Sequence, residues 1–331
     1  MKNSIQNEAH EVSSDAAAKP AQQNCTHDAA QSTEEKQMKN EALIECVPNF
    51  SEGRNWSVIE AIHESIICDG NCRVLDYSAD EDHNRSVFTI TGSPEAVENA
   101  VLRFTKTAAE QINMETHKGV HPCIGATDVI PFVPLKNTDM DECITLSENV
   151  GKRIAEELKL PVYLYAKSAK MPSHKRLADI RRGGYAVLKE EISIIPERAP
   201  DFGPKYLTSA GGVSIGARDF LIAFNVYLDT NDVKPARLIA KKIRESSGGF
   251  PGLQAIGLLV KGYAQVSMNL LDYHKTSMKT IIQAIQHEAD MLGVKPLFTE
   301  LIGMLPKDAL SGTNPKELLL KDFSADKILS F

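Results

Sequence analysis

Arg85-Ser86-Val87-Phe88-Thr89-Ile90-Thr91-Gly92-Ser93-Pro94 changes its repeat partway along. Val87, Thr89 and Thr91 alternate with Phe88 and Ile90, the two-residue period of a half-buried strand. Gly92 stops the strand and Ser93 is placed to cap a helix. Pro94 suits the first helical position, where its missing N–H costs nothing. Val97, Val101, Phe104, Ala108 and Ile112 then follow at helical spacing. A strand handing over to an amphipathic helix is the building step of a layered protein of helices and sheets.

Working outward from this stretch, the same logic orders the first half. Ala42 to Val47 is apolar enough for a strand, ended by Pro48 and Asn49. Trp56 to Ile67 is helical through Val58, Ile59, Ile62 and Ile66. Arg73 to Tyr77 is a strand, joined to the opening one by the polar turn Ala79 to Asn84. Thr127 to Leu135 is a further strand, giving β-α-β-β-α-β. A helix over Asp139 to Leu158, a strand over Pro161 to Ala166 and a basic helix or loop over Met171 to Leu188 follow. Ala199 to Pro204 punctuates the chain.

Beyond it the order recurs. Strands over Asp219 to Leu228, Leu253 to Val260, Ala264 to Leu271 and Leu297 to Leu305 alternate with helices over Asn231 to Arg244 and Thr276 to Leu292. Lys261-Gly262-Tyr263 marks a hairpin. The expected fold is α+β: two tandem ferredoxin-like subdomains, residues 41–198 and 199–331, with a ligand cleft or tunnel between them. Residues 1–40 hold no Phe, Trp, Tyr or Leu, so they are expected to be a disordered tail.

Composition excludes several classes. The net charge of -7 offers no bulk basic field for nucleic acid or membrane. No apolar run approaches the ~18 residues of a membrane span, and no signal-peptide core opens the chain. Six scattered cysteines without a Cys-x-x-Cys pair read as reduced thiols of a cytoplasmic protein.

The polar chemistry concentrates in His117-Lys118-Gly119-Val120-His121-Pro122-Cys123-Ile124-Gly125-Ala126-Thr127-Asp128, a loop pinned between helix and strand. Gly119 and Pro122 rule out a helix that would align His117 and His121 as metal ligands. A metal site with His83 as third ligand stays open beside a general base and beside plain surface histidines. Asp82-His83-Asn84-Arg85 reads as a solvated turn, except that Arg85 opens an apolar strand and is placed to meet a substrate carboxylate. The glycines from Gly203 to Gly212 lack the strand before and helix after that a dinucleotide fingerprint needs. They read as a linker or as a backbone wall for a flat ligand. Lys167, Lys170, Lys175, Arg176, Arg181 and Arg182 form a basic run, expected on the surface and able to steer a polycarboxylate.

Glu45-Cys46-Val47-Pro48-Asn49-Phe50-Ser51-Glu52-Gly53-Arg54, Asn84-Arg85-Ser86-Val87, His117-Lys118-Gly119-Val120-His121-Pro122, Asp201-Phe202-Gly203-Pro204 and Gly216 to Asn225 resemble the glutamate formimidoyltransferases, the transferase half of the formiminotransferase-cyclodeaminases. The likeness runs from about Glu41 to Leu310, and the expectation is a stand-alone transferase. The resemblance implies two α/β subdomains with a folate-holding tunnel. It implies transfer of a formimidoyl group between N-formimidoyl-L-glutamate and tetrahydrofolate in histidine degradation, with tetrahydrofolate as co-substrate, no metal, and a cytoplasmic setting. It implies His121 as the catalytic histidine. The folate segment it implies is Gly203, Pro204, Lys205, Tyr206, Leu207, Thr208, Ser209, Ala210, Gly211 and Gly212. Mammalian members have an acidic residue where this chain has Ser78, which leaves Asp76, Asp80 or Asp82 to orient His121. The expected partners are small molecules, without nucleic acid or membrane, and a homodimer is compatible with them. A formyl donor or a glycine acceptor on the same fold, a His-ligated metal hydrolase, and a non-catalytic folate binder are the alternatives.

The tail generates a test. Removing residues 1–35 is expected to leave melting temperature and turnover unchanged; a large drop in either would show that the tail docks on the folded part.

Overall fold

The computed structural model describes residues 42–329. The tail expected over residues 1–40 lies outside them.

The first sheet is organised about a strand that Pro48 breaks in two, β1 (Leu43–Cys46) and β2 (Asn49–Phe50). The chain then forms α1 (Trp56–Ile67), β3 (Arg73–Asp80), β4 (Arg85–Gly92), α2 (Pro94–Gln111) and β5 (Thr127–Lys136). Ser93 caps α2 by accepting from the Ala96 amide, with Pro94 in the first turn. β4 and β5 lie antiparallel on either side of β1 and β2, and β3 pairs with the free edge of β4. This is the expected βαββαβ unit.

The unit does not stop there. An Asp139–Glu142 capping box starts α3 (Met140–Glu157), which carries the chain across to β6 (Val162–Leu164). Two short helices follow, α4 (Leu177–Ile180) and α5 (Gly184–Glu191), and then β7 (Val213–Ala217). β7 inserts between β5 and β6, parallel to both. Leu207, Ala210, Val213, Ile215 and Ala217 belong to the first core. The break expected between residues 198 and 199 is therefore displaced, and the first subdomain runs to about residue 218. The physical reason is the crossover helix: it lays β6 two strand positions from β5, and the buried gap is filled by the next apolar strand.

The second sheet comes from β8 (Ile222–Leu228), β9 (Leu253–Val260), β10 (Tyr263–Leu270) and β11 (Pro296–Ile302), with α6 (Val233–Ile243) and α7 (Met278–Met291) between them. Its order is β11-β8-β10-β9, the same split βαβ arrangement, with every pairing antiparallel. Short β12 (Leu305–Pro306) and β13 (Ile328–Leu329) pair near the end of the described chain. Among the described residues no helix is long and apolar enough to cross a membrane.

Each subdomain has its own core. In the first, Ile59 and Ile62 of α1 and Val101 and Phe104 of α2 pack on Phe88, Ile90 and Phe132. In the second, Ile239 and Ile281 pack on Phe224, Val226 and Met268. The opposite face of the first sheet carries Asp76, Asp80, Arg85 and Thr89, and the second subdomain meets it. Lys261 Nζ lies 3.4 Å from Asp80 and Lys327 Nζ 2.6 Å from Asp76. The Lys261 amide donates to Asp82 Oδ2 at 2.7 Å.

Phe50 is fully buried and meets Phe88 and Phe104 edge-on, with ring centroids 5.5 and 5.3 Å away. Phe50→Ala is expected to destabilise the fold by about 3–5 kcal/mol, read as a fall in denaturation midpoint. A change below about 1 kcal/mol would mean that this core does not hold the sheet to its helices.

Candidate active site

The loop after α2 is held from three sides. The Val120 amide donates to Asp82 O at 3.2 Å, which lays the loop on the turn between β3 and β4. Gly119 makes this approach possible: a Cβ there would sit 2.2 Å from His83 O. In the turn, Asn84 adopts a φ of +46° and its Oδ1 accepts from the Gly53 amide at 3.0 Å. At the loop's far end Ser51 Oγ donates to Gly125 O at 2.8 Å, and the Ile124 amide donates to Asp128 Oδ1 at 2.9 Å. The segment from Gly203 to Gly212 braces the third side. The Ala126 amide donates to Ala210 O at 2.8 Å and the Gly212 amide to Ile124 O at 2.9 Å. Gly211, at φ +74°, has no room for a Cβ, which would fall 2.2 Å from Ile124 O.

A buried charge cluster underlies this loop. Asp128, 1% exposed, accepts from Arg181 Nη2 and from Arg85 Nη1, the latter at 3.4 Å. Arg85 also donates through Nε to Asn49 Oδ1 at 3.0 Å. Two guanidiniums share one carboxylate, so the cluster keeps a positive excess. Burial pulls Arg85 down to about 10, the Arg181 charge adds to the fall, and Asp128 opposes it; Arg85 is still a cation at neutral pH. Glu45, 2% exposed on β1, is pushed up to about 7 by burial, with Arg218 opposing.

His121 sits on this cluster. Its Nδ1 is 2.8 Å from Arg85 Nη1, which can only donate, and 2.9 Å from Pro122 O, which can only accept. The first contact puts the ring hydrogen on Nε2; the second puts it on Nδ1 and leaves Nε2 as the basic nitrogen. Burial, then the Arg85 and Arg181 charges, hold the imidazole well below its ordinary value, so it is neutral at pH 7.

The other sequence candidates separate. His117 Nδ1 faces Asn84 Nδ2 at 3.2 Å, and His83 Nδ1 faces Asp80 Oδ1 at 2.9 Å. His83, His117 and His121 are thus turned to three different partners. Among the described residues no three His, Cys, Asp or Glu side chains gather as a metal site would need. Asp80 engages His83 and Lys261, Asp82 engages the Lys261 amide and Asp76 engages Lys327, while His121 is held by Arg85 and Pro122. The basic run is not one surface. Lys167 pairs with Asp219, Lys170 with Glu148 and Arg176 with Asp179, whereas Arg181 turns inward to Asp128. The reason is the short α4, whose C-cap is Arg181 and which ends over the buried acid. In the Gly203 to Gly212 segment Leu207, Ala210, Gly211 and Gly212 are buried and Lys205, Tyr206, Thr208 and Ser209 are exposed.

Sequence reasoning missed Asp128 and Arg181 as partners. The available signal was a lone acid at the head of an apolar strand, Thr127-Asp128-Val129-Ile130. Beside the site, a pocket of about 470 Å³ is lined by Tyr227, Lys261, Phe298, Glu300, Lys321 and Lys327. Tyr227 and Phe298 stack at 4.5 Å, and Lys321 Nζ lies 4.8 Å above the Phe298 ring.

Residues 43–218 match the N-terminal subdomain of the formiminotransferase domain, and residues 223–315 match the formiminotransferase domain model that follows it. The two matches meet where the first sheet ends and β8 begins. The chain is 40% identical to a glutamate formimidoyltransferase of Streptococcus pyogenes serotype M1, over 86% of this chain and 96% of that protein. It is 40% identical to a Thermoplasma acidophilum protein of the same name, over 87% and 96%. A formimidoyltransferase-cyclodeaminase of Rattus norvegicus is 43% identical over 81% of this chain, which spans 51% of that longer protein.

Asp128→Asn leaves two guanidiniums without their shared counter-charge. A loss of about 3–5 kcal/mol of stability is expected, measured by chemical denaturation. An unchanged midpoint would show that Arg85 and Arg181 reach solvent without it.

Proposed function

The chain belongs to the formiminotransferase domain family, and from that premise we propose that it is a folate-dependent transferase. It moves a formimidoyl group between N-formimidoyl-L-glutamate and tetrahydrofolate, giving 5-formimidoyltetrahydrofolate and L-glutamate, as in histidine degradation. The observation that carries this reading is 40% identity along 96% of a glutamate formimidoyltransferase. Five free cysteines among the described residues suit a reducing, cytoplasmic setting.

The residues fit such substrates. The glutamate moiety is a dicarboxylate, and Arg85 and Arg181 carry the positive excess to receive one carboxylate. Tyr227 and Phe298 offer stacking surfaces to a flat ring, and Lys261, Lys321 and Lys327 suit an acidic tail. These features support a folate tunnel between the subdomains, walled on the loop side by Gly203 to Gly212. Bound tetrahydrofolate supplies the accepting nitrogen at its 5-position.

His121 is the proposed general base. A substrate carboxylate that takes Arg85 removes the donor from His121 Nδ1, which then donates its hydrogen to Pro122 O. Nε2 is left with a free lone pair, and substrate binding arms the base. Neutrality matters here, because an imidazole kept uncharged by burial and by two arginines is free to accept a proton at pH 7.

The test is a coupled assay with formimidoylglutamate and tetrahydrofolate, repeated with formylglutamate and formimidoylglycine. His121→Ala is expected to lower kcat by about 10²–10⁴-fold with folding intact. The acid limb of kcat/KM is expected below about 6.5, the ordinary imidazole value, because the ring resists protonation in the folded state. Near-normal turnover in His121→Ala, with loss in His117→Ala, would reassign the base. Turnover only with the formyl donor or the glycine acceptor would reassign the substrate.

A further inference from the structure

His83 is the imidazole in the site whose tautomer the fold decides without ambiguity. Asp80 Oδ1 accepts from the His83 backbone amide at 2.8 Å and lies 2.9 Å from His83 Nδ1. Lys261 Nζ approaches the other Asp80 oxygen at 3.4 Å. Burial alone would raise this carboxyl, but the His83 hydrogen bonds and the His83 and Lys261 charges outweigh it and hold it well below the usual range. An ionised carboxylate only accepts, so the Asp80-facing nitrogen bears the hydrogen and Nε2 is left for chemistry. The side chain is 12% exposed, covered but not sealed. Its ring centroid is 6.2 Å from that of His121, at 61°. A carboxylate–histidine pair aimed beside a second imidazole is the arrangement of an acid–base couple, not of a solvated turn.

We propose that His83 is a second catalytic residue of the transfer, the proton donor to the departing nitrogen, with Asp80 as its positioning residue. This rests on the transferase reading given above. As the bond from the accepting nitrogen to the amidine carbon forms, the C=N π pair moves onto the terminal amidine nitrogen and His121 Nε2 takes the accepting nitrogen's proton. That pair then returns to re-form the C=N bond. The bond from carbon to the glutamate nitrogen breaks with its electrons on that nitrogen, which receives the Nε2 proton of His83, the donor being the imidazolium form with a hydrogen on each ring nitrogen. Nothing is oxidised or reduced. His121 is left charged between Arg85 and Arg181, and His83 is left neutral beside Asp80. Transfer of one proton from His121 to His83, whose ring centroids lie 6.2 Å apart, restores both.

The groups that titrate or carry charge around His83 are Asp80 and Asp82 of its own turn, Lys261 from the β9–β10 hairpin and His121 from the loop. The experiment measures kcat and kcat/KM against pH for the whole chain, for His83→Gln and for Asp80→Asn, with melting temperatures as a folding control. His83→Gln is expected to lower kcat by about 10²-fold with KM little changed, since the departing nitrogen loses its proton donor. Asp80→Asn is expected to lose less, with the fall in kcat and not in KM, because the His83 ring remains and only its positioning partner is removed. The inference is overturned if His83→Gln keeps kcat within about threefold of the parent while His121→Ala is inactive. That result leaves the transferase reading standing. A parent chain that turns over none of the tested donors overturns that reading and this inference together.

Discussion

Asp128 is where the site is tied together. One carboxylate at the head of β5 accepts from Arg85 at the start of β4, from Arg181 at the end of α4 and from the amide of Ile124 in the loop that carries His121. Taking three charges out of water costs several kcal/mol per ion, and only multiple hydrogen bonds offset it. Asn49 supplies another acceptor for Arg85, so that guanidinium is paired on two sides. Remove the acid and three segments that are far apart in sequence lose their common point of attachment.

The imbalance in this cluster sets the electrostatics. Two cations against one anion make an environment that rejects a charged imidazole and welcomes an external carboxylate. Burial and then this field keep His121 neutral. Arg85 and Pro122 compete for His121 Nδ1 from opposite sides of the donor–acceptor division. A few residues away a carboxylate fixes the His83 ring instead, so the two imidazoles have opposite kinds of partner.

Holding such a cluster to tenths of an ångström needs a stiff loop. Gly119 against His83 O and Gly211 against Ile124 O let backbone touch backbone with no side chain between them. The second subdomain adds its own restraint through the hairpin tip, where Lys261 reaches both Asp80 and Asp82. Proton chemistry in the first subdomain is thereby tied to the placement of the second.

Local pattern was enough for most of the secondary structure, but it did not mark β7 (Val213–Ala217) as a strand. The alternation from Val87 to Thr91, the Ser93–Pro94 start and the Lys261-Gly262 hairpin act within a few residues, and each stands as expected. The doubled β-α-β-β-α-β order follows from them, and the motif around His121 carried the family. Tertiary structure decided the rest. No local signal says that β7 slots between β5 and β6, because strand order depends on the crossover helix and on burial. Arg181 reads in sequence as one more charge in a basic run, and only the packing of α4 over Asp128 turns it inward. The partners of His121 and His83 were undecided for the same reason: hydrogen bonds between residues 36 positions apart, such as Arg85 to His121, exist only once the chain has folded.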